Sequence, residues 1–501
     1  MRNKISLSFF ILCILGVFCL SAFAQTSIDR IVADSLSLGK PYVLSLDEVS
    51  QIALRNNFDI QIARYDAEIA KTKKGEAQSI YDTVLTAEAA YRKDKSAKTS
   101  SFSGSRSVTN DYDVGINKKL PTGTTLSLDQ TNNRTWTDSS YVTTNPSHDS
   151  SLGFTVSQDL GRNFFGIQDR GDIKVTQIDI QNLQYVSLGK IEQSLSDVQI
   201  DFWGLVLALD FVKIEKDMLV QAERLYLINK EKLADGLVEQ PDFLASEANY
   251  KQRVADVWVA ENSAKTRMNA LKLGLNLTQD MSDIMPANDL ILQEQESRIE
   301  TSLINAFEHR RDYRQALNDV RMRNIKLSMK KNNAWPEINL SASMARNGLG
   351  DNFKESIENI SREDHPDFLA LLKVSVPLEN RKAKSQLKKA ELEKAQALVA
   401  LKMTERTIMI NVVDQVRLCN TLFAKAKQQK EIAELQSKKL QEQEKIFSYG
   451  RSDVDTIIRY QQDALVAEKQ ASQSLFDYQA SLIDLKVQEG VLLQQYWQEG
   501  I

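Results

Sequence analysis

The sequence predicts an internally duplicated α+β membrane protein. Long antiparallel coiled-coil helical hairpins are expected to form an α-barrel in the periplasm, and strands to contribute to an oligomeric transmembrane β-barrel. Three observations predict this fold class. An export leader is followed by no apolar run long enough for a membrane helix. The two halves of the chain resemble each other. Each half passes from a helix to alternating strands and then to a very long helical hairpin.

The N-terminus has the three parts of a secretory signal peptide. Arg2 and Lys4 precede an apolar run from Ile5 to Leu20, and the small-x-small sequence Ala22-Phe23-Ala24 follows. We therefore expect residues 1–24 to be removed after export. Loss of the leader changes the formal charge from −4 to about −6, and this acidic balance argues against a nucleic-acid partner.

The rest of the chain offers no candidate for a membrane helix. The best apolar stretch, Trp203 to Val212, is short and contains Asp210. A bilayer crossing would then need a closed β-barrel, because only closure satisfies every backbone polar group in lipid. Cys419 is the one cysteine outside the leader, which excludes an intrachain disulfide framework.

An internal duplication organises the mature chain. Residues 53–63 align with residues 306–316, and in both places a helical stretch leads to an aromatic residue about twenty positions later. The expected segments are an N-terminal periplasmic segment at 25–45, a first repeat at 46–274, a connector at 275–300, a second repeat at 301–490 and a C-terminal tail at 491–501.

Alternating apolar and polar residues predict strands at about 81–160 in the first repeat and about 335–380 in the second. Strands of about ten residues suit a tilted bilayer crossing. The polar connectors are expected to be extracellular loops: Lys95 to Asn110, Thr137 to Asp149 and Arg346 to Pro366. Pro121-Thr122-Gly123 is expected to be a tight turn, within an extra hairpin of the first repeat that either joins the barrel or stays outside it. A soluble β-sandwich is the alternative for the strands alone.

Two proline-free stretches, Lys174 to Asp235 and Arg381 to Tyr449, predict rods of roughly 90 to 100 Å at 1.5 Å per residue. A glycine turn and a returning helix follow each rod, giving hairpins at about 170–274 and 381–490. The returning helices keep a three-four spacing that predicts coiled-coil packing against the rods. In the first this seam comprises Phe243, Glu247, Tyr250, Val254, Val257, Glu261, Ala264, Met268, Leu271 and Leu275. In the second it comprises Val454, Ile457, Gln461, Ala464, Glu468, Ala471, Leu475, Tyr478, Leu482 and Leu485.

The number of strands predicts assembly. A few strands cannot enclose a pore, and their unpaired edges would face lipid or other chains. We therefore expect copies of the chain to complete the barrel. The hairpins of those copies would then form a second tube continuous with the first.

The order of these motifs resembles the TolC family of outer-membrane efflux proteins. The resemblance rests on Leu46-Asp47-Glu48-Val49 with Ala53-Leu54 and Asn56-Asn57, on Leu160-Gly161-Arg162 before the first rod, and on Val376-Pro377-Leu378-Glu379-Asn380-Arg381 before the second. It covers essentially the whole mature chain. It implies a homotrimeric, passive duct of the cell outer membrane that extends into the periplasm and serves a tripartite efflux or type I secretion system. The implied partners are a periplasmic adaptor protein, an inner-membrane transporter and outer-membrane lipid.

The resemblance also implies site residues. The turns Asp235-Gly236-Leu237 and Tyr449-Gly450-Arg451 occupy the places that meet adaptor hairpins, each with one substitution in the hydrophobic-glycine-hydrophobic pattern. Asp453 and Asp455 occupy the place of an acidic constriction at the periplasmic entrance, although the position one turn after Asp455 is Ile458. Asp453 is equally well explained as the cap of the helix that begins at Val454. The region of Pro286 and the C-terminal tail are implied to form a mixed equatorial belt.

No catalytic constellation is found in the sequence, and we expect neither an enzyme, nor a cofactor, nor a metal site. His148, His309 and His365 stand in no metal-binding motif, and Gly348-Leu349-Gly350 is interpreted as a hairpin loop. Two interpretations compete with the duct. One is a periplasmic coiled-coil adaptor or adhesin stalk without a pore, and the other is a periplasmic enzyme with helical insertions, which would require an acid, a base and a nucleophile that the sequence does not offer. The cargo is left open among drugs, metals, polysaccharide and polypeptide.

Overall fold

A computed structural model describes residues 42–98, 102, 104–277, 283–294, 297–362 and 365–496. The predicted signal peptide and most of the 25–45 segment lie outside the described residues, as do residues 497–501 of the tail. Two compact units are formed, and three helices, Phe58–Gln78, Ile167–Ala234 and Arg381–Ser448, each contribute residues to both. Among the described residues, no helix has a stretch that is both long enough and apolar enough to cross a membrane.

The first unit contains residues 42–62, 190–309 and 410–496 of the described chain and is mainly helical. Its short strands β1 (Tyr42–Leu44) and β6 (Ile284–Pro286) pair in parallel. Its helices, complete or in part, are α1 (Leu46–Asn56), α2 (Phe58–Gln78), α3 (Ile167–Ala234), α4 (Gln240–Gly274), α5 (Ile299–His309), α8 (Arg381–Ser448) and α9 (Val454–Glu489).

The second unit contains residues 63–189 and 310–409 and is built around one six-stranded antiparallel sheet. The strands lie in the order β2-β3-β4-β5-β7-β8, with the bounds β2 Thr83–Asp94, β3 Ser107–Lys119, β4 Thr124–Thr137, β5 Ser147–Asp159, β7 Glu337–Gly350 and β8 Pro366–Ser375. Helices α6 (Arg311–Asn333) and α7 (Phe353–Arg362) belong to this unit.

The predicted duplication is present in the backbone. The break between α1 and α2 falls at Asn57 (φ −59°, ψ 130°), and the break between α5 and α6 falls at Arg310 (φ −62°, ψ 128°). These two residues occupy the same position in the alignment of residues 53–63 with 306–316. A kink at matching positions with matching dihedral angles indicates that both halves fold by one local plan.

The two rods also match. Helices α3 and α8 are each 68 residues long, and each begins directly after a residue in the left-handed region, Gly166 (φ 70°) in one case and Asn380 (φ 44°) in the other. A left-handed residue turns the chain sharply without continuing a helix. Both rods therefore begin at a defined point. The two predicted rods are present, and the first begins at Ile167 rather than at the predicted Lys174.

The predicted coiled-coil seams are confirmed. In α9, eight of the ten seam residues are buried, and Glu468 and Leu475 are half-buried. In α4, five of the ten are buried and the other five are half-buried. The three-four spacing therefore identified the packed face of each returning helix.

The predicted loop at Arg346 to Pro366 is wrong. Strand β7 continues to Gly350 and pairs with β5 as far as His148. Helix α7 then packs against these strands, where the Ser150 and Ser356 hydroxyls are 2.8 Å apart. Gly348 lies so close to the Ser356 carbonyl that a Cβ there would collide with it. The glycines interpreted as a hairpin loop are therefore strand residues that let a helix approach the sheet.

The extra hairpin of the first repeat belongs to the sheet. Strands β3 and β4 pair along almost their full lengths and lie between β2 and β5, so the first repeat contributes four strands and the second contributes two. The turn at Pro121-Thr122-Gly123 connects them, with Gly123 at φ 74°.

Candidate functional site

The turn after the first rod is a glycine-capped helix end. Gly236 has φ 73°; its N–H donates to the Leu233 carbonyl at 3.0 Å, and the Leu237 N–H donates to the Lys232 carbonyl at 2.7 Å. These two bonds define a Schellman motif, which satisfies carbonyls that the ending helix leaves free. A Cβ at Gly236 would meet no atom within 4 Å, so the left-handed backbone alone favours glycine here.

The turn after the second rod repeats this geometry. Gly450 has φ 69°; its N–H donates to the Phe447 carbonyl at 3.0 Å, and the Arg451 N–H donates to the Ile446 carbonyl at 3.2 Å. Tyr449 before this glycine and Leu237 after the other are strongly exposed, at 77% and 72%. The six turn residues singled out in the sequence therefore form two equivalent tips that each display one large apolar side chain.

The tips of the two hairpins meet in a small apolar core. Val454 and Ile457 of α9 pack against Leu225 of α3 with Phe447 and Ile458 alongside. The Lys232 ammonium lies 4.6 Å from the centre of the Phe447 ring, a cation–π contact between the rods. Ile458, which stands where the resemblance implied a second acidic residue, is thus part of this core.

Asp453 caps the second returning helix. Its carboxylate oxygen Oδ1 accepts a hydrogen bond from the Thr456 N–H at 2.6 Å. The backbone and side-chain hydrogen bonds from Thr456 lower the pKa of the Asp453 carboxyl. Asp455 lies in the first turn of the same helix, and both side chains are exposed. The capping interpretation is confirmed, and a part in the entrance stays a prediction.

A polar contact joins the two returning helices a few turns from the tips. The Asn249 side-chain amide of α4 donates to the side-chain oxygen Oε1 of Gln461 in α9 at 3.2 Å, and both side chains are buried. One turn farther along, the buried Arg253 guanidinium donates to Gln462 and, at 3.1 Å, to Asp256. Sequence reasoning missed Asn249 and Arg253. Their signal was a second three-four line, Ser246, Asn249 and Arg253, beside the predicted seam.

The other sites singled out in the sequence are placed as follows. Pro286 pairs with Leu44 in the β1–β6 ladder, and in the tail the Tyr496 hydroxyl donates to Asp47 at 3.2 Å. His148 is in β5 and buried against the Phe353 ring, which differs from the predicted loop position. His309 Nδ1 lies 2.8 Å from the Gln494 amide. Among the described residues, no group of three or more His, Cys, Asp or Glu side chains could hold a metal ion.

In its central part, the six-stranded sheet has one polar and one mainly apolar face. Farther along, the second face becomes polar at Asn132 and Ser150, where α7 packs against it. Directly paired residues share a face, and one line of pairs runs through Leu85, Ile116, Leu128, Phe154, Met344 and Phe368. The neighbouring line on the opposite face runs through Thr86, Gly115, Asp129, Gly153, Ala345 and Asp367. Such alternation is what a strand between lipid and water requires.

The likeness to solved structures is found in the fold. The chain is similar to the CmeC outer membrane channel of Campylobacter jejuni, with a TM-score of 0.67, 15% identity, and 89% of this chain and 85% of that chain covered. It is similar to CusC, whose structures concern folding and transmembrane channel formation, with a TM-score of 0.69, 14% identity and coverage of 94% and 95%. It is also similar to the open state of the MtrE outer membrane channel of Neisseria gonorrhoeae, with a TM-score of 0.65, 15% identity and coverage of 89% and 88%.

No protein-family model and no curated relative matches the sequence. The proteins compared in structure are channels, and the likeness extends over about nine-tenths of this chain. The fold implied by the resemblance is therefore confirmed, and the chain has the TolC-like channel fold.

Proposed function

We propose that the protein is the outer-membrane channel subunit of a tripartite efflux or type I secretion system. Three copies form a passive duct that carries solutes across the periplasm and the outer membrane. The observation that carries this proposal is the coverage of the structural likeness, which extends along nearly the full length of both this chain and outer-membrane channels. The same likeness supports a binding and transport role rather than catalysis.

The sheet supports the pore. Its edge strands β2 and β8 pair with no further strand among the described residues, and all ten side chains of β8 are exposed. An open edge with an apolar face is unfavourable in water and in lipid alike. Copies of the chain that pair edge to edge would remove both edges, turn the apolar face to lipid and turn the polar face to a water-filled interior.

The hairpin tips support docking to a periplasmic adaptor. Leu237 and Tyr449 project from equivalent turns whose backbones are fixed by the same two hydrogen bonds. Exposed large apolar side chains on rigid turns are suitable anchors for a partner. The inner-membrane transporter supplies the energy in this scheme and selects the cargo, because a water-filled duct recognises little.

Asp453 and Asp455 line the entrance in this proposal. Both carboxylates are exposed at the start of α9, beside the tip of the first hairpin. Threefold symmetry would bring three copies of each toward one axis, and that concentration of negative charge would favour cations.

Membrane fractionation tests the proposal against the alternative of an adaptor or stalk without a pore. We expect the protein in the outer-membrane fraction, extracted only by detergent, as a trimer whose gel mobility changes on heating. A protein released by osmotic shock as a water-soluble monomer would contradict the proposal and favour the adaptor or stalk.

A further inference from the structure

The edges of the sheet contain information about how copies meet. The sheet has six antiparallel strands, so β2 and β8 run in opposite directions. If β8 of one copy pairs with β2 of the next, the new ladder is antiparallel like all the others. Each copy would therefore continue the sheet of its neighbour with no change of ladder type.

We propose that β8 pairs with β2 of a second copy in one register, Phe368 opposite Tyr91, and that three copies form a closed barrel of eighteen strands. The proposal rests on the proposed function, which supplies the number of copies. Four strands per chain would follow from the duplicated plan alone, and the hairpin β3–β4 adds the other two. Barrels of 16 to 18 strands are wide enough to leave an aqueous channel.

The face of the sheet on which each side chain lies restricts the register. Directly opposite residues share a face, and Phe368, Ala370, Leu372 and Val374 lie on the same face as Leu85, Ala87, Ala89 and Tyr91. Each of these four β8 residues must therefore stand opposite a β2 residue of the same face, because a shift by one residue would place it opposite a residue of the other face. Only every second register remains.

Strand length restricts it further. With Phe368 opposite Tyr91, all ten residues of β8 pair with β2, from Pro366 opposite Lys93 to Ser375 opposite Val84. Leu85 and Phe368 are the two ends of one line of directly paired residues across the sheet. If these two residues faced each other between copies, only about five pairs would form. The longer ladder leaves the fewest backbone groups unsatisfied in lipid.

The tilt of the strands gives an independent check. The line of pairs that starts at Leu85 reaches Phe368 after six strands and, in this register, continues at Tyr91, six residues farther along β2. A climb of about one residue per strand, at roughly 3.3 Å per residue and 4.8 Å between strands, corresponds to a tilt of about 35°. Membrane barrels are tilted by about 35–45°. A level closure would have no tilt.

The charges of facing residues favour this register over the neighbouring one, in which each residue of β8 faces the β2 residue two positions farther along the chain. With Phe368 opposite Tyr91, Asp367 stands opposite Arg92, and opposite charges in directly facing positions stabilise a sheet. In the next register Lys373 would face Glu88, but Asp367 would face Asp94, and one pair of the ladder would be lost.

Disulfide cross-linking of the full chain in outer membranes tests the register. Ala370→Cys combined with Ala89→Cys should give covalent trimers on a non-reducing gel after mild oxidation, because the two Cβ atoms face each other across the ladder. Ala370→Cys combined with Ala90→Cys is the matched control, since Ala90 is adjacent but on the opposite face. This control pair should form no disulfide between copies. Ala370→Cys with Tyr91→Cys reports the next register and should link at least several-fold less.

The outcomes separate this inference from the proposed function. A wild-type protein that an amine-reactive cross-linker joins into trimers, with no disulfide in the Ala89→Cys pair, would overturn the register alone. Faster linking through Tyr91→Cys or Ala90→Cys would do the same. A wild-type protein that no reagent joins into an oligomer would overturn the proposed function.

Labelling of β3 tests whether the hairpin is part of the barrel wall. Val114 and Asp113 are neighbours on opposite faces of the sheet. In membranes of intact cells, Asp113→Cys should react with a water-soluble maleimide at least tenfold faster than Val114→Cys, and Val114→Cys should prefer a lipid-soluble one. Equal reaction of both with the water-soluble reagent would show that the hairpin lies outside the wall, and a wall of eighteen strands would be excluded.

Discussion

The Lys469 ammonium of α9 forms an ion pair with the Glu215 carboxylate of α3, a side chain that is only 3% exposed. The other oxygen of this carboxylate, Oε2, is buried and has no hydrogen-bond partner in the described structure. A buried carboxylate with one partner depends strongly on that partner. This ion pair therefore connects the second hairpin to the first rod, and we expect its removal to destabilise the protein.

Lys469→Met should destabilise the protein by about 3–5 kcal/mol, because it removes the partner of a buried carboxyl group. The double variant Glu215→Leu with Lys469→Met should recover most of this loss. Lys216→Met is the control, since Lys216 and Glu261 form an exposed pair expected to contribute at most about 1 kcal/mol. Denaturant unfolding followed by helix circular dichroism measures all three. Equal losses for Lys469→Met and Lys216→Met would show that the buried pair is unimportant.

The two roles of Asp453 can be separated by isosteric substitution. Asp453→Asn keeps a capping side chain but removes the charge, whereas Asp453→Ala removes both. If the charge acts at the entrance, Asp453→Asn with Asp455→Asn should lower the cation preference and the divalent-cation block in planar bilayers and leave the melting temperature nearly unchanged. Asp453→Ala should lower the melting temperature as well. Unaltered ion selectivity in the double Asn variant would remove the entrance proposal.

Asp453 also predicts a pH dependence. Its pKa is lowered in the folded protein by the hydrogen bonds from Thr456. A carboxyl with a lowered pKa contributes stability above its ordinary pKa near 4 and loses that contribution as pH falls through the folded value. The melting-temperature difference between wild type and Asp453→Ala should therefore shrink as pH is lowered below about 4. A constant difference from pH 7 to the acid limit would contradict this account.

Asp201 of α3 should show the opposite sign. Burial raises the pKa of its carboxyl, the nearby Asp197 charge raises it further, and Arg267 counteracts both. The charged form is thus disfavoured in the folded state at neutral pH, and this penalty disappears as pH falls through the raised pKa. Asp201→Asn should raise the melting temperature at pH 7 and have a smaller effect near pH 4. A lower melting temperature at pH 7 would show that the attraction between the Asp201 carboxylate and the Arg267 charge outweighs the effect of burial.

The glycines of the hairpin tips predict a loss caused by the backbone alone. Gly236→Ala and Gly450→Ala should each destabilise by about 1–2 kcal/mol, because an L-residue is strained at positive φ. Asn tolerates this region better, so Gly236→Asn should be milder. Gly189→Ala is the matched control, since Gly189 lies within the α3 rod, is not at positive φ and has no atom within 4 Å of a Cβ. A loss at Gly189 equal to that at Gly236 would contradict the explanation.

Local periodicity predicted the helical parts well. The seams at Val454 to Leu485 and Phe243 to Leu275 could be predicted because each helix repeats one contact pattern over many turns. The equivalence of Gly236 with Gly450 could be predicted because a positive φ favours glycine at both places. The duplication supplied a second instance of each pattern.

Contacts between segments that are distant in the sequence could not be predicted from it. Helix α7 was missed because the glycines before it suggested a loop, whereas their function is to let Ser356 approach Gly348. Asn249 was missed because its partner Gln461 is 212 positions away and was assigned to a mainly apolar seam. Whether β3 and β4 join the sheet depends on backbone pairing across the strands, and residue alternation does not fix which strands pair.

The central claim is that three copies enclose one continuous aqueous passage. Ion current through single molecules tests it most directly: purified trimers added to a planar lipid bilayer should produce discrete, equal steps of current that persist at constant voltage. Folded trimers that insert into the bilayer and pass no current at any voltage or salt concentration would contradict the account.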